Sequence, residues 1–172
     1  IRLGSLELTP VKEKIAEMSD RLPKLCPQFH MSLQSGCDSV LKRMKRRYTC
    51  EDYRRAVMLL RENWEDASVT TDIMTGFPGE TEQEHKASLD FAEEIGFSKI
   101  HVFPYSRRKG TPAADMAGQL TDKVKRARAA EMQAVANECE ARFFESCIGK
   151  IFDTLVEKRN ENGKLAGHAP NY

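Results

Sequence analysis

Residues 68–103 read SVTTDIMTGFPGETEQEHKASLDFAEEIGFSKIHVF, and this stretch decides the fold. Ser68 to Thr75 reads as a strand that ends in the turn Gly76-Phe77-Pro78-Gly79. Thr81 and Glu84 stand at capping-box spacing, so a helix starts there. Leu89, Ala92 and Ile95 fall on one face of it, and Gly96 is a natural C-terminal cap. Lys99 to Phe103 is the next strand. Two strands joined through a helix imply a parallel pair with a right-handed crossover.

The same alternation extends in both directions. Upstream, Ile1 to Leu6 reads as the tail of a strand. Thr9 and Pro10 open a helix with Val11, Ile15, Met18 and Leu22 on one face, ending at Pro23 and Pro27. Phe29, Met31 and Leu33 alternate with His30, Ser32 and Gln34, the period of a strand. Asp38 is placed to cap a short helix carrying Val40, Leu41 and Met44. Thr49 and Asp52 form a second capping box, before a helix with Tyr53, Val57 and Leu60 inward. Downstream, Pro104 to Pro112 is a loop, and Thr121 caps a long helix with Val124, Met132, Val135, Cys139 and Phe143 inward. Ile151 to Glu157 reads as a strand, and Asn162-Gly163 is a hairpin turn. Gly149 marks the expected boundary between a domain over 1–148 and a small β unit over 149–172. The fold class is α/β, a parallel sheet alternating with helices and followed by a β-hairpin.

Composition narrows the function classes. The 172 residues carry 31% charged side chains and a net charge of +1, a globular rather than a disordered balance. No apolar run approaches the ~18 residues of a membrane span, and no secretory signal opens the chain. The first residue is Ile1, so the chain is expected to begin inside a larger protein. Cys26, Cys37, Cys50, Cys139 and Cys147 are odd in number and widely spaced. They form neither CxxC nor CxxxCxxC, which points to free thiols in a reducing, cytoplasmic setting. His30, His101 and His168 have no partner at metal-ligand spacing. Lys42, Arg43, Lys45, Arg46 and Arg47 make one basic cluster, and Arg107, Arg108 and Lys109 another. Either is a solvated face or an anion-facing rim.

Sheets of this kind bind ligands at the C-terminal ends of their strands. Glu7 follows the first strand, Gln34 ends the second, Asp72 lies in the third, and Arg46 follows the second strand. Two carboxylates, an amide and a guanidinium suit a small zwitterion, and the arginine fork matches a carboxylate. Each also has a plainer reading: helix stabilisation for Glu7, a strand-end polar group for Gln34, a solvated charge for Arg46, loop amides for Asp72. GFPGE is either turn chemistry alone or a close backbone approach to a ligand. It is not a phosphate-binding P-loop, because GxxxxGK[ST] is absent.

IRLGSLE (1–7), HMSLQSGCDSVLKRMKRRYT (30–49), TDIMTGFPGET (71–81) and HVFPYSRRKGTPAA (101–114) resemble successive motifs of the MiaB-like radical S-adenosylmethionine (SAM) methylthiotransferases. SLQSGCDSVLKRM and FPYSRRKGTPA are most similar to the branch acting on N6-threonylcarbamoyladenosine beside the tRNA anticodon. The tail IGKIFDTLVEKRNENGKLAGHAPNY resembles the start of a TRAM domain, a small β-barrel that grips tRNA. The resemblance implies the C-terminal portion of a partial TIM barrel, followed by an incomplete TRAM unit. It implies SAM contacts at Glu7, Gln34, Arg46 and Asp72: Arg46 to the methionyl carboxylate, Glu7 to the amino group, Gln34 and Asp72 to the ribose side. Tyr105, Arg107, Arg108 and Lys109 are then expected to face substrate at the barrel mouth. SAM and two [4Fe–4S] clusters would serve the parent enzyme, with cluster ligands lying outside this sequence and no catalytic or metal residue within it. A radical from SAM would activate the adenine C2 position for sulfur insertion and methylation. The anticodon loop of tRNA is the expected partner, with self-association through the open barrel edge. Two other classes stay open: a catalytically inactive RNA-binding or scaffold fragment, and an unrelated α/β-barrel enzyme with Asp72 and Glu7 as an acid–base pair.

Overall fold

The computed structural model describes residues 1–6, 8, 22 and 24–171. The expected helix from Thr9 therefore lies outside the described residues, apart from an exposed Leu22. Three parallel strands make the sheet in the order β1 (Gln28–His30), β2 (Ser68–Thr75) and β3 (Lys99–Pro104). Phe29 lies opposite Val69, and Asp72 opposite His101. Helices α1 (Asp38–Arg43) and α2 (Cys50–Asn63) join β1 to β2, and α3 (Glu82–Ile95) joins β2 to β3. A 3-10 turn at Pro112–Asp115 leads to α4 (Asp122–Ser146), and the hairpin of β4 (Leu155–Arg159) and β5 (Leu165–His168) follows. No helix among the described residues is long and apolar enough to cross a membrane.

The helix boundaries follow from local chemistry. Thr49 accepts from the Asp52 N–H while Asp52 accepts from the Thr49 N–H, and Thr81 and Glu84 repeat the exchange at α3. Each pair occupies backbone donors that a helix start leaves open. Gly96 takes φ 63° at the end of α3, and Thr121 caps α4 through the Val124 N–H. At α1 the cap position is Cys37, without a side-chain bond, rather than Asp38. The Asp38 carboxylate reaches forward and accepts from the Cys50 N–H at 2.7 Å, tying α1 to the start of α2.

One face of the sheet carries the core. Phe29, Met31, Leu33, Val69, Ile73 and Ile100 point toward the helices and pack with Tyr53, Val57, Leu60, Phe91, Ala92, Ile95 and Met132. A side chain of this size contributes about 1.5–3 kcal/mol when fully buried. On α4 the expected Met132 and Cys139 are buried together with Ala136 and Arg128, whereas Val124, also expected inward, is exposed.

Two strands are shorter than their alternation predicts. Ile1 to Leu6 contributes a single bridge, Ser5 to His30, with the Leu6 N–H donating to the His30 carbonyl. β1 stops at His30 and pairing resumes only at Gln34, opposite Ile73. Side chains take over the ladder between these points. Thr71 Oγ1 accepts from the Leu33 N–H at 2.9 Å and donates to the Met31 carbonyl at 2.7 Å. Tyr53 Oη donates to the Met31 carbonyl at 2.7 Å, and Tyr48 Oη to the carbonyls of Ser32 and Leu33 at 3.0 Å each. Every one of these backbone groups is thus satisfied without a continuous strand. Burial raises the pKa of both phenols, so they remain protonated donors.

At the far end, the predicted hairpin forms with Gly163 at φ 74°, but β4 begins at Leu155 rather than Ile151, which is fully exposed.

Candidate functional site

Alternation along the strands gives the sheet a second face, opposite the helices. His30 and Ser32 from the β1 segment, Thr70 and Asp72 from β2, and His101 and Phe103 from β3 share that face. It is polar where the helix side is apolar. Asp72 Oδ2 accepts from Ser32 Oγ at 2.9 Å and meets His30 Nε2 at 3.2 Å. His30 Nδ1 meets Thr70 Oγ1 at 3.0 Å. The His30 and His101 rings stand 6.0 Å apart, and His101 is exposed.

The backbones of Gln34 and Asp72 are brought together where pairing resumes beyond β1. The Gln34 N–H donates to the Asp72 carbonyl at 2.8 Å, and the Met74 N–H to the Gln34 carbonyl at 2.9 Å. Gln34 holds φ 72° there, a left-handed conformation that is costly for a residue with a Cβ. Both residues are half-buried; Gln34 lies beyond the end of β1, and Asp72 stands within β2, three residues before its end. Arg46 is exposed on the segment after α1, where its N–H closes the helix end on the Leu41 carbonyl. Its charge acts on the Tyr48 hydroxyl, which rests on the carbonyls of Ser32 and Leu33. Arg46 makes no side-chain bond among the described residues. Glu7 lies outside the described residues.

The expected substrate-facing segment divides. Arg107, Arg108 and Lys109 are exposed on the loop after β3. Tyr105 does not join them: it is 7% exposed, edge-on to Phe77 at 5.5 Å, in a second apolar cluster with Val40. Its N–H is bonded to the Thr75 carbonyl, which turns the residue inward. The basic cluster divides likewise. Lys42, Lys45, Arg46 and Arg47 are exposed, whereas Arg43 grips Glu84 bidentately at 2.8 and 2.7 Å. The Arg43 fork and a bond from Ser39 hold the Glu84 carboxyl well below its usual range, at about 2.

The GFPGE turn faces the helices. A Cβ at Gly76 would lie 2.5 Å from the Lys125 side chain, so the close approach made possible by glycine is to α4. Glu80 is buried and accepts from the Gly76 N–H at 3.0 Å and from Arg128 Nη1 at 2.8 Å, while Arg128 also donates to the Glu80 carbonyl. His85 sits beside this pair and meets Glu131 at 3.0 Å. Sequence reasoning passed over the Glu80–Arg128 pair, since 48 residues separate the partners. A lone arginine on the inward stripe of α4 was the available signal.

The family model for the radical SAM superfamily matches residues 3–92, slightly more than half of the chain. The chain belongs to the radical SAM superfamily. It is 39% identical over all 172 residues to the threonylcarbamoyladenosine tRNA methylthiotransferase MtaB of Thermotoga maritima, of which it covers 40%. It is 34% identical to the protein of the same name from Bacillus subtilis, covering all of this chain and 39% of that protein. Over 84% of its length it is 44% identical to a tRNA-2-methylthio-N(6)-dimethylallyladenosine synthase of Symbiobacterium thermophilum, of which it covers 31%. The chain thus spans about two fifths or less of these curated relatives. Among solved structures, coproporphyrinogen III oxidase (HemN) of Escherichia coli, a radical SAM enzyme, superposes with a TM-score of 0.63 at 17% identity, over 78% of this chain and 31% of that one. That likeness shows the fold: a parallel-stranded part of the radical SAM barrel.

Radical SAM chemistry calls for SAM and an iron–sulfur cluster, and the two fit these residues differently. The five cysteines are free, and among the described residues no three His, Cys, Asp or Glu side chains gather into a metal site. Nothing described here forms a cluster cradle, which takes several thiolates. On the polar face, the partly exposed Asp72 carboxylate is an acceptor of the kind that the hydroxyl and ammonium groups of SAM require.

Proposed function

We propose that this chain forms part of the SAM-binding barrel of a tRNA methylthiotransferase. The parent enzyme then adds a methylthio group to C2 of N6-threonylcarbamoyladenosine beside the anticodon. The observation that carries the reading is end-to-end similarity to two proteins of that name. The polar face of the sheet around Asp72, with the Gln34 backbone bonded to it, supports it.

In this reading Glu7, Gln34, Arg46 and Asp72 hold SAM, with Arg46 on the carboxylate. Bound SAM supplies the radical chemistry, and the residues here orient it and exclude water. Arg107, Arg108 and Lys109 face the tRNA. Residues 1–148 belong to the barrel, and 149–172 begin a TRAM-like unit that grips RNA. Two [4Fe–4S] clusters are held by parts of the parent outside this chain, which alone is without turnover in the cytoplasm. An open barrel edge invites strand pairing. Self-association of the isolated chain through that edge is part of the reading.

The test uses the full-length parent, purified without oxygen and reconstituted with iron and sulfide. With SAM, a reductant and tRNA bearing threonylcarbamoyladenosine, 5′-deoxyadenosine and the methylthio nucleoside should both form by mass spectrometry. Product on dimethylallyladenosine tRNA instead would move the enzyme to the other branch. SAM bound but never cleaved would reduce the chain to a scaffold.

A further inference from the structure

The two oxygens of Asp72 are treated differently. Oδ2 carries both contacts, from Ser32 Oγ at 2.9 Å and His30 Nε2 at 3.2 Å. Oδ1 has no donor among the described residues, and the side chain is 29% exposed. The structural carboxylate at α3 contrasts with it: Arg43 takes both Glu84 oxygens, and the Thr81 N–H adds a further bond. A carboxylate serving stability alone gains by filling both oxygens. At Asp72 the donors crowd onto one and leave the other clear.

Valence assigns the protons. An ionised carboxylate only accepts, so Ser32 and His30 both donate to it. With Nε2 turned to Asp72, Nδ1 of the same ring meets the Thr70 hydroxyl at 3.0 Å. Thr70 is buried and lies opposite His30 in the register. Thr70 and Asp72 share a face of β2 because they are two residues apart. The pairing of β1 with β2 therefore builds a relay that runs from a buried hydroxyl, through the imidazole, to the open carboxylate. His101, on the same face, takes no hydrogen bond in it among the described residues.

We propose that His30 and Ser32 are positioning residues. They hold Asp72 so that Oδ1 alone faces the barrel interior, as the acceptor for a hydroxyl or ammonium group of SAM. This rests on the reading of Asp72 as a SAM contact.

The experiment measures SAM affinity of the full-length, cluster-loaded parent by equilibrium dialysis, alongside KM and kcat for 5′-deoxyadenosine formation. His30→Leu should weaken SAM binding about tenfold, the scale of one hydrogen bond to a charged group. KM should rise in step and kcat at saturating SAM should hold, since ground-state and transition-state binding are lost alike. His30→Gln, which returns an N–H donor near the Nε2 position, should recover most of the affinity. Ser32→Ala should lose about threefold. If His30→Leu and Ser32→Ala bind SAM like wild type while Asp72→Asn binds weakly, the positioning role is wrong and the Asp72 contact stands. If Asp72→Asn binds SAM normally too, the reading of Asp72 fails and takes the proposal with it. Should His30→Leu not fold, undiminished binding by Ser32→Ala overturns the proposal by itself, as does a loss in His30→Gln as large as tenfold.

Discussion

The two faces of one three-stranded sheet do opposite work. Toward the helices, Phe29, Met31, Leu33 and Ile73 are fully buried. On the other face, one residue away along the chain, stand His30, Ser32 and Asp72, half-buried and polar, with His101 exposed. Since successive strand residues alternate sides, the segment that builds the core also carries the site. The difference teaches that burial on one face fixes the strand register, and this register aims the polar groups on the other. A slip of one residue would exchange the two sets.

The largest expected effect tests the buried face. Phe29→Ala removes a fully buried ring that packs on Trp64 at 5.0 Å. It should cost about 4 kcal/mol in denaturant unfolding. A loss under about 1 kcal/mol would mean that this face does not hold the sheet, and the contrast would collapse.

Next comes a charged group that belongs to the helix side. Arg128→Ala leaves the Glu80 carboxylate buried without its cation, and the 76–80 turn loses its tie to α4. About 3 kcal/mol of stability should go. Arg128→Met with Glu80→Gln should recover part of it, because removing both charges spares the desolvation penalty. No recovery would show that the pair shapes the turn through geometry rather than charge.

Local chemistry was what the residue string revealed best. Both capping boxes, the Gly96 cap, the long β2 strand and the Asn162-Gly163 hairpin each depend on neighbours within a few positions, and each forms. The termination of β1 was hidden, because it depends on hydroxyls from Tyr48, Tyr53 and Thr71, which lie 15 to 40 residues away from the carbonyls they serve. Tyr105 misled for a related reason. A tyrosine beside three cations looks like a rim residue, yet its N–H pairs with Thr75 and its ring is drawn onto Phe77. At the site, Gln34 stands out as the end of a strand and Asp72 as a carboxylate within the next, and the structure bonds their backbones. Their order along the chain could not reveal the bracket around Asp72, since the partner strand's register decides which side chains meet it.

A smaller effect appears in acid. The Glu84 carboxyl lies at about 2 in the folded chain. A depressed pKa contributes stability that is complete above the ordinary carboxylate value and is lost as pH falls toward about 2. The melting temperature should therefore decline through this window. Glu84→Gln should flatten the decline and lower stability near neutrality by about 1 kcal/mol, the range of a partly exposed pair. Melting curves from pH 7 to 2 measure it, and an unchanged slope in the variant would assign the acid loss elsewhere.

The smallest effect on stability has the opposite sign and cuts most cleanly between the two faces. Gln34 keeps φ 72° with a Cβ present, a strain of about 1–2 kcal/mol that glycine avoids. Glycine's greater freedom in the unfolded chain returns about 0.5–1 kcal/mol of that gain. Gln34→Gly should therefore stabilise the fold by roughly 0.5 kcal/mol, while SAM affinity falls because the amide is gone. Unfolding midpoints and dialysis on the same variant separate the two quantities. Stability gained with SAM affinity intact would mean that the strained residue serves only the turn. Stability lost would mean that the side chain holds the strand end. A gain in one paid against a loss in the other is what a site built on the open face of a well-packed sheet should give.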